Sequence, residues 1–332
     1  MARQPAGAAA VEMGRSYQAA CVVLAAAELD LFTALAKGPL RPDRLADAIG
    51  GDPRATEILA DALVALGLTE KKDGAYALSD EAGAALTEGD PGSVLPMLRH
   101  QANCLRSWAR LAEVVRTGRP VDTAPSVRGG GADHAAFIEA MEVASREAAP
   151  KVVAALGPPS FKRLLDVGGG PATWTIAFLR AVPGGRATLF DLPAVIPIAR
   201  NCVAAANLAD RIDFVAGSAE DDAPLPSGFD LAWVSAFVHQ NSREENRRLF
   251  AKVHAALVPG GSILIRDIVM NDAHTSPPGG ALFAVNMLVR TIGGGTYSLS
   301  ELADDLRTAG FGAPDLLPGE RDMDQVVCAR RG

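Results

Sequence analysis

The sequence predicts an α/β protein: a mainly parallel sheet with helices on both faces, preceded by a mostly helical domain. Three observations carry that expectation. Up to Ala155 the apolar residues recur at helical spacing, broken by one short hairpin pattern. After Gly157-Pro158-Pro159, short apolar runs alternate with helical ones, the pattern of parallel strands joined by crossover helices. The first of those runs, Leu164-Leu165-Asp166-Val167, empties into Gly168-Gly169-Gly170, where missing Cβ atoms let a ligand approach the backbone. Domains are therefore expected at 1–157 and 158–332.

Residues 1 to about 12 are small and polar, and are expected to be loose. The stretch 17–36 is apolar with few charges and reads as one or two helices. A helix restarts at 40–46, and Asp52-Pro53 offers an N-cap followed by a proline at the first helical position. The helix beginning there places Leu59, Leu63 and Leu66 on one face and stops at Gly67. Residues 68–71 and 76–78 flank Asp73-Gly74, the signature of a hairpin. Three helices and a hairpin make a winged helix. The pattern is helical again over 91–116, with Trp108 and Leu111 inside it. Residues 117–133, rich in Gly, Pro and small polar side chains, read as a loop or lid. A helix over 134–155 closes this half.

In the second half, strands are expected at 163–167, 187–190, 212–215, 231–235 and 262–267, with a last one near 326–329. Helices are expected at 175–181, 195–206, 244–257 and 300–309. Ligands of such Rossmann-like sheets sit at the carboxyl ends of the strands, near the switch in strand order. Asp166, Asp191, Ser218, Ser235 and Asp267 all fall at or just beyond those ends.

Composition narrows the function. The 332 residues are 48% hydrophobic and 21% charged, which suits a soluble globular protein. A net charge of −7 argues against nucleic-acid or anionic-membrane partners, which want basic surface. The helix of the winged-helix region that would enter a DNA groove offers Arg54 against Glu57 and Asp61, too little cation to neutralise phosphate. Cys21, Cys104, Cys202 and Cys328 are far apart and read as free thiols of a reducing cytoplasm. No run reaches the ~18 apolar residues of a membrane span, and the start of the chain lacks the pattern of an export signal. His100, His134 and His274 show no metal-ligand spacing, so no metal is expected.

Two readings compete for the glycine loop. Gly168 and Gly170 fit the first two positions of a dinucleotide fingerprint, but Thr173 stands where the third glycine belongs. Asp166 directly before the loop would repel a pyrophosphate, whereas a cofactor bearing a sulfonium and an ammonium would welcome it. S-adenosylmethionine carries both charges, and its ribose hydroxyls suit the acid Asp191 that ends the next strand.

The runs Leu165-Asp166-Val167-Gly168-Gly169-Gly170, Phe190-Asp191-Leu192-Pro193 and Leu257-Val258-Pro259-Gly260-Gly261 together resemble the class I S-adenosylmethionine-dependent O-methyltransferases. The similarity is to the small-molecule group with an N-terminal winged-helix dimerisation domain, and it covers nearly the whole chain. It implies a homodimer. It also implies that Gly168 and Gly170 lie against the methionine end of the cofactor, Asp191 binds the ribose and Leu192 meets the adenine. Ser218 takes the place of an acid that often meets the adenine amine, and Ser235 matches a position that reaches the methionine carboxylate.

His239, four residues past Ser235, matches the family's base, and Asp267 matches an acid that orients its imidazole. A histidine suits the task because its pKa lies near neutrality. Two departures stand beside it: Gln240-Asn241 replaces the usual Asp-Trp, and Thr296 replaces a second acid. Phe137 and Met141, four apart on one helix face, suggest a substrate wall. Asn286 and Met287 match positions that line the family's acceptor pocket. The expected activity is methyl transfer to a hydroxyl of a small aromatic acceptor. Carbon or nitrogen methylation, a different reaction such as hydroxylation on the same scaffold, and a winged-helix DNA-binding regulator stand as alternatives.

Overall fold

The computed structural model describes residues 6–157, 161–317 and 319–332. Its contacts form two compact units. The first holds the described residues up to Arg106 together with Thr123–Val143; the second holds Ser107–Asp122 together with the described residues from Ala144 on.

The first unit begins with α1 (Ala6–Arg15), where a loose segment was expected. Ala6, Ala8, Ala9 and Ala10 are strong helix formers, and the helix forms although none of its residues is buried. There follow α2 (Tyr17–Glu28), α3 (Leu31–Leu35), α4 (Pro42–Ile49) and α5 (Pro53–Ala65). The Asp52 carboxylate accepts the Ala55 N–H at 2.8 Å, capping α5 as its sequence predicts. Strands β1 (Thr69–Lys72) and β2 (Ala75–Leu78) pair antiparallel. Asp73 and Gly74 between them take φ of 51° and 76°, the left-handed pair that matches the twist of a two-residue hairpin. Leu40 bridges Tyr76 from the other side. Phe32, Leu45, Leu63 and Tyr76 are fully buried in one cluster, so the helices and hairpin share a core. After the short α6 (Asp80–Gly83) come α7 (Leu95–Trp108), α8 (Leu111–Thr117), α9 (Gly130–Ser145) and α10 (Ala148–Ala155), of which α8 and α10 belong to the second unit. Each of the two long helical stretches expected here is thus a pair of helices.

The second unit is built on β3 (Arg163–Val167), α11 (Thr173–Ala181), β4 (Arg186–Asp191), α12 (Ile196–Ala205), β5 (Ile212–Ala216), β6 (Phe229–Ser235), α13 (Arg243–Ala256), β7 (Leu257–Arg266), β8 (Val269–Met270), α14 (Pro278–Leu288), β9 (Tyr297–Ser298), α15 (Leu299–Thr308), β10 (Asp315–Leu317) and β11 (Val326–Arg330). The main sheet runs β10-β11-β7-β6-β3-β4-β5, parallel from β7 to β5 and antiparallel at β11 and β10. The chain leaves β3 towards β4 and β5, then returns to β3's other side as β6. The order therefore switches between β3 and β6, and the crevice beyond their carboxyl ends is where ligands of such sheets bind.

Period-two alternation sends Leu165, Val167, Val234 and Ile265 to one face, under α13 and α15, and Leu164, Leu231, Trp233 and Leu264 to the other, under α10, α11 and α12. The same parity puts Asp166, Ser235 and Arg266 on the α11 face and Asp267 on the α13 face.

The boundary expected at Gly157-Pro158-Pro159 is not where the units part; Pro158 and Pro159 themselves lie outside the described residues. Residues 144–157 belong to the second unit. Ala148, Ala149, Val152 and Val153 of α10 are buried with Trp174, Phe178 and Leu179 of α11, so this helix goes where its apolar face finds a partner, not where prolines punctuate the chain.

Candidate active site

The glycine loop after β3 is shaped by what surrounds it. A Cβ at Gly168 would stand 2.6 Å from the Phe237 ring, and Gly168 has φ +71°. Gly170, at φ +53°, has nothing within 4 Å of its Cβ position, leaving open space beside the backbone. Asp191, at the end of β4, fixes this loop: one carboxylate oxygen accepts the Gly170 N–H at 2.7 Å and the other accepts the Leu192 N–H at 2.7 Å. Burial raises the pKa of Asp191 although both N–H groups favour its charge. Leu192 beside it is exposed. Ser218, half-buried in the loop after β5, accepts the Glu220 N–H at 3.1 Å.

Asp166 is placed differently from its expected exposure to a ligand. It is 1% exposed, turned under the loop, and accepts the Thr175 hydroxyl of α11. Burial, opposed by the Thr175 bond and reinforced by the charge of Asp191, pushes its pKa up to about 7. No ion pair reaches it among the described residues. Ser235, at the end of β6, accepts from the guanidinium of Arg266 at 3.2 Å. Arg266 is itself buried, lies 4.4 Å over the Trp174 ring and pairs with Asp324 at 2.8 Å. Burial lowers the Arg266 pKa despite that partner.

These residues fit S-adenosylmethionine. The site has a glycine turn with free space beside its backbone, a half-buried carboxylate for hydroxyls and an exposed leucine for a ring. Gly168, Gly170, Asp191, Leu192, Ser218 and Ser235 lie at or just beyond the carboxyl ends of β3, β4, β5 and β6, and Asp166 lies beneath the turn.

His239 lies in a 3-10 turn, Val238–Gln240, just past β6 and is 6% exposed. Its Nδ1 stands 2.9 Å from both oxygens of Asp267, itself 2% exposed. A carboxylate accepts and cannot donate, so Nδ1 carries a proton, and in the neutral ring the lone pair is on Nε2. Asp267 is fixed in turn by the Ile268 N–H at 2.9 Å. The turn is held from several sides. Asn246 donates to the Val238 carbonyl at 2.9 Å, Asn241 donates to Asn246 at 3.1 Å, the Tyr297 hydroxyl donates to the Asn241 carbonyl, and Gly295 N–H donates to the His239 carbonyl at 2.9 Å. Asn241, one of the departures from the family pattern, is a buried part of this frame. Thr296, the other, is buried and bonds the Gly280 carbonyl at 3.4 Å.

On the other side of the turn, Phe283 of α14 meets the His239 ring edge-on, with centroids 4.8 Å apart. Asn286, one turn further on, accepts the indole N–H of Trp108 at 2.9 Å, and Met287 is buried. Phe137 and Met141 lie half-buried on α9; Phe137 belongs to the first unit's ring pair with His100, centroids 5.2 Å apart. The second unit thus gathers His239, Asp267, Phe283, Asn286 and Met287. Phe283, Thr175, Arg266 and the Trp108 bond escape sequence reasoning. Of these, only the i, i+3 spacing of Phe283 and Asn286 carries a local signal. Among the described residues, no group of His, Cys, Asp and Glu could hold a metal ion.

The profile of the O-methyltransferase domain matches residues 108–312, and that of the O-methyltransferase dimerisation domain matches residues 13–88. The chain is 35% identical to the 3-hydroxy-5-methyl-1-naphthoate 3-O-methyltransferase of Streptomyces sahachiroi, covering 86% of this chain and 84% of that one. The chain belongs to the O-methyltransferase family. It is also 32% identical to the tetracenomycin polyketide synthesis 8-O-methyl transferase of Streptomyces glaucescens, over 92% of this chain and 94% of that one. An L-tyrosine C(3)-methyltransferase of Streptomyces lavendulae is 30% identical over 86% of this chain and 82% of its own. Human N-acetylserotonin methyltransferase, solved in complex with SAM, superposes with a TM-score of 0.82 at 25% identity, covering 100% of both chains. This O-methyltransferase is therefore an S-adenosylmethionine-dependent enzyme, with a dimerisation domain in its N-terminal region.

Proposed function

We propose that this O-methyltransferase methylates a hydroxyl of a small aromatic secondary-metabolite acceptor, with His239 as general base, working as a homodimer in the cytoplasm. The observation that carries the reading is the buried pair of His239 and Asp267, with Nδ1 committed at 2.9 Å and Nε2 unpartnered among the described residues. A phenol has a pKa of about 10, so at neutral pH it is a weak nucleophile until a base takes its proton. Nε2 takes that proton. Asp267 keeps the ring in the tautomer that can do so and stabilises the imidazolium that results. The Phe283 edge and the buried surroundings of His239 exclude water from the exchange. When bound, S-adenosylmethionine supplies a methyl already activated by its sulfonium.

The test incubates the enzyme with methyl-labelled cofactor and a panel of hydroxyarenes, then reads product mass and the labelled position. A methyl ether on the hydroxyl is the expected product. Label on a ring carbon would favour the chemistry named for the tyrosine C-methyltransferase relative. A gain of one oxygen with no methyl would overturn methyl transfer altogether.

A further inference from the structure

Asn286 stands on the face of α14 that also carries Phe283, and Phe283 touches the base. Three residues of helix separate them, about 4.5 Å along the axis. An asparagine amide can ordinarily turn either its oxygen or its nitrogen towards a ligand, and the two choices recognise opposite partners. Here the choice is fixed. The indole N–H of Trp108 only donates, so the oxygen of Asn286 must face it, at 2.9 Å. The Nδ2 group, with two donor hydrogens, makes no hydrogen bond among the described residues. Trp108 and Asn286 belong to the same unit although they lie 178 positions apart in the chain.

We propose that Trp108 is a specificity-determining residue: by locking the Asn286 amide it presents a hydrogen-bond donor beside the base, and the site selects hydroxyarenes that also carry an uncharged carbonyl oxygen. This rests on the reading of the site as one for hydroxyarenes. The donor belongs to a neutral amide, which suits a ketone, quinone or ester oxygen. An acceptor lacking that oxygen leaves the donor unpaired in a half-buried site, and sites built to bond a polar group reject analogues without it.

The test measures acceptor binding by calorimetry with the full chain and S-adenosylhomocysteine, so that no turnover is needed. The probes are 5-, 6- and 7-hydroxy-1-tetralone and 5,6,7,8-tetrahydro-2-naphthol, which share a ring skeleton and differ in the carbonyl. The tetrahydronaphthol is the more apolar and would win in a merely greasy pocket. The best hydroxytetralone is expected to bind about tenfold tighter than the tetrahydronaphthol, the worth of one good hydrogen bond. Trp108→Phe keeps the aromatic bulk and removes the N–H, and the ratio should fall several-fold. Asn286→Asp keeps the bond from Trp108 but replaces the donor by an acceptor, and the ratio should fall below one. A structural role for Trp108 would weaken all probes alike and leave the ratio unchanged. A native ratio at or below one, no binding of any probe, or a ratio indifferent to both substitutions overturns the proposal. Turnover on the same probes is read separately. A carbonyl preference in binding without methyl transfer would count against the proposed reaction and leave the role of Trp108 standing.

Discussion

With Nδ1 donating to Asp267, the His239 ring has its other nitrogen available for the proposed role of base, and two substitutions separate the parts of that device. His239→Ala should lower turnover by ~10²–10⁴-fold while calorimetric cofactor affinity holds, because the ring's hydrogen-bond and aromatic partners among the described residues are Asp267 and Phe283, not the glycine loop. Asp267→Asn leaves a hydrogen-bonding side chain in place but lets Nδ1 accept instead of donate, so kcat should fall with little change in acceptor KM. Steady-state kinetics check both, and an unchanged kcat in His239→Ala removes this residue from the reaction. Asp166 offers a different measurement. Burial raises its pKa to about 7 in the folded chain, against about 3.9 when unfolded. Between those values the folded protein holds a proton that the unfolded chain has released. Asp166 therefore subtracts stability progressively as pH rises from about 4 to about 7, and no further above that. Urea unfolding of the ligand-free protein should show this loss, and Asp166→Asn should flatten it. Superimposable pH profiles for the two proteins would contradict the assignment.

The turn that carries His239 depends on a neighbour without side chains. A Cβ at Gly294 would stand 2.5 Å from the His239 carbonyl oxygen and would collide with the Thr291 hydroxyl, so the segment between α14 and β9 lies directly on the turn. Gly294→Ala should cost about 1–3 kcal/mol of stability, the usual range for overpacking. It should also depress kcat at least tenfold, because a base displaced by even a fraction of an ångström loses alignment. Retained cofactor affinity in that variant would place the damage in the turn. Elements such as β3, α11 and α13 are legible in the sequence because their apolar periods are strong and their ends are marked by Gly, Ser or Pro. The direction of Asp166 is not. Buried parallel strands are apolar on both faces, so the run from Leu164 to Val167 gives no polar side to show that its acid turns under the loop. The two-residue strands β8 and β9 are shorter than any period can reveal.

Assembly and chain order set the remaining expectations. The dimerisation-domain match covers residues 13–88, and α1 leaves Val11 and Met13 largely exposed, with Tyr17 beside them. Met13, exposed on a helix with no buried residue inside that match, is the side chain to test for a place in the dimer interface. Sedimentation should find twice the chain mass for the native protein, and Met13→Asp should shift the equilibrium towards monomer; an unaltered dimer would exclude α1 from the interface. The site was only partly readable for a related reason. Motifs mark the cofactor loop because its residues are neighbours in sequence, whereas the bond from Trp108 to Asn286 joins distant positions and leaves no local trace. That bond belongs to a unit made of two stretches of chain, since Ser107–Asp122 precedes the last segment of the first unit. During synthesis, the segment bearing Trp108 leaves the ribosome before any strand of the main sheet exists. The tryptophan must wait, without its partner, until α14 has been translated, and this corner of the second unit is among the last parts of the enzyme to acquire its shape.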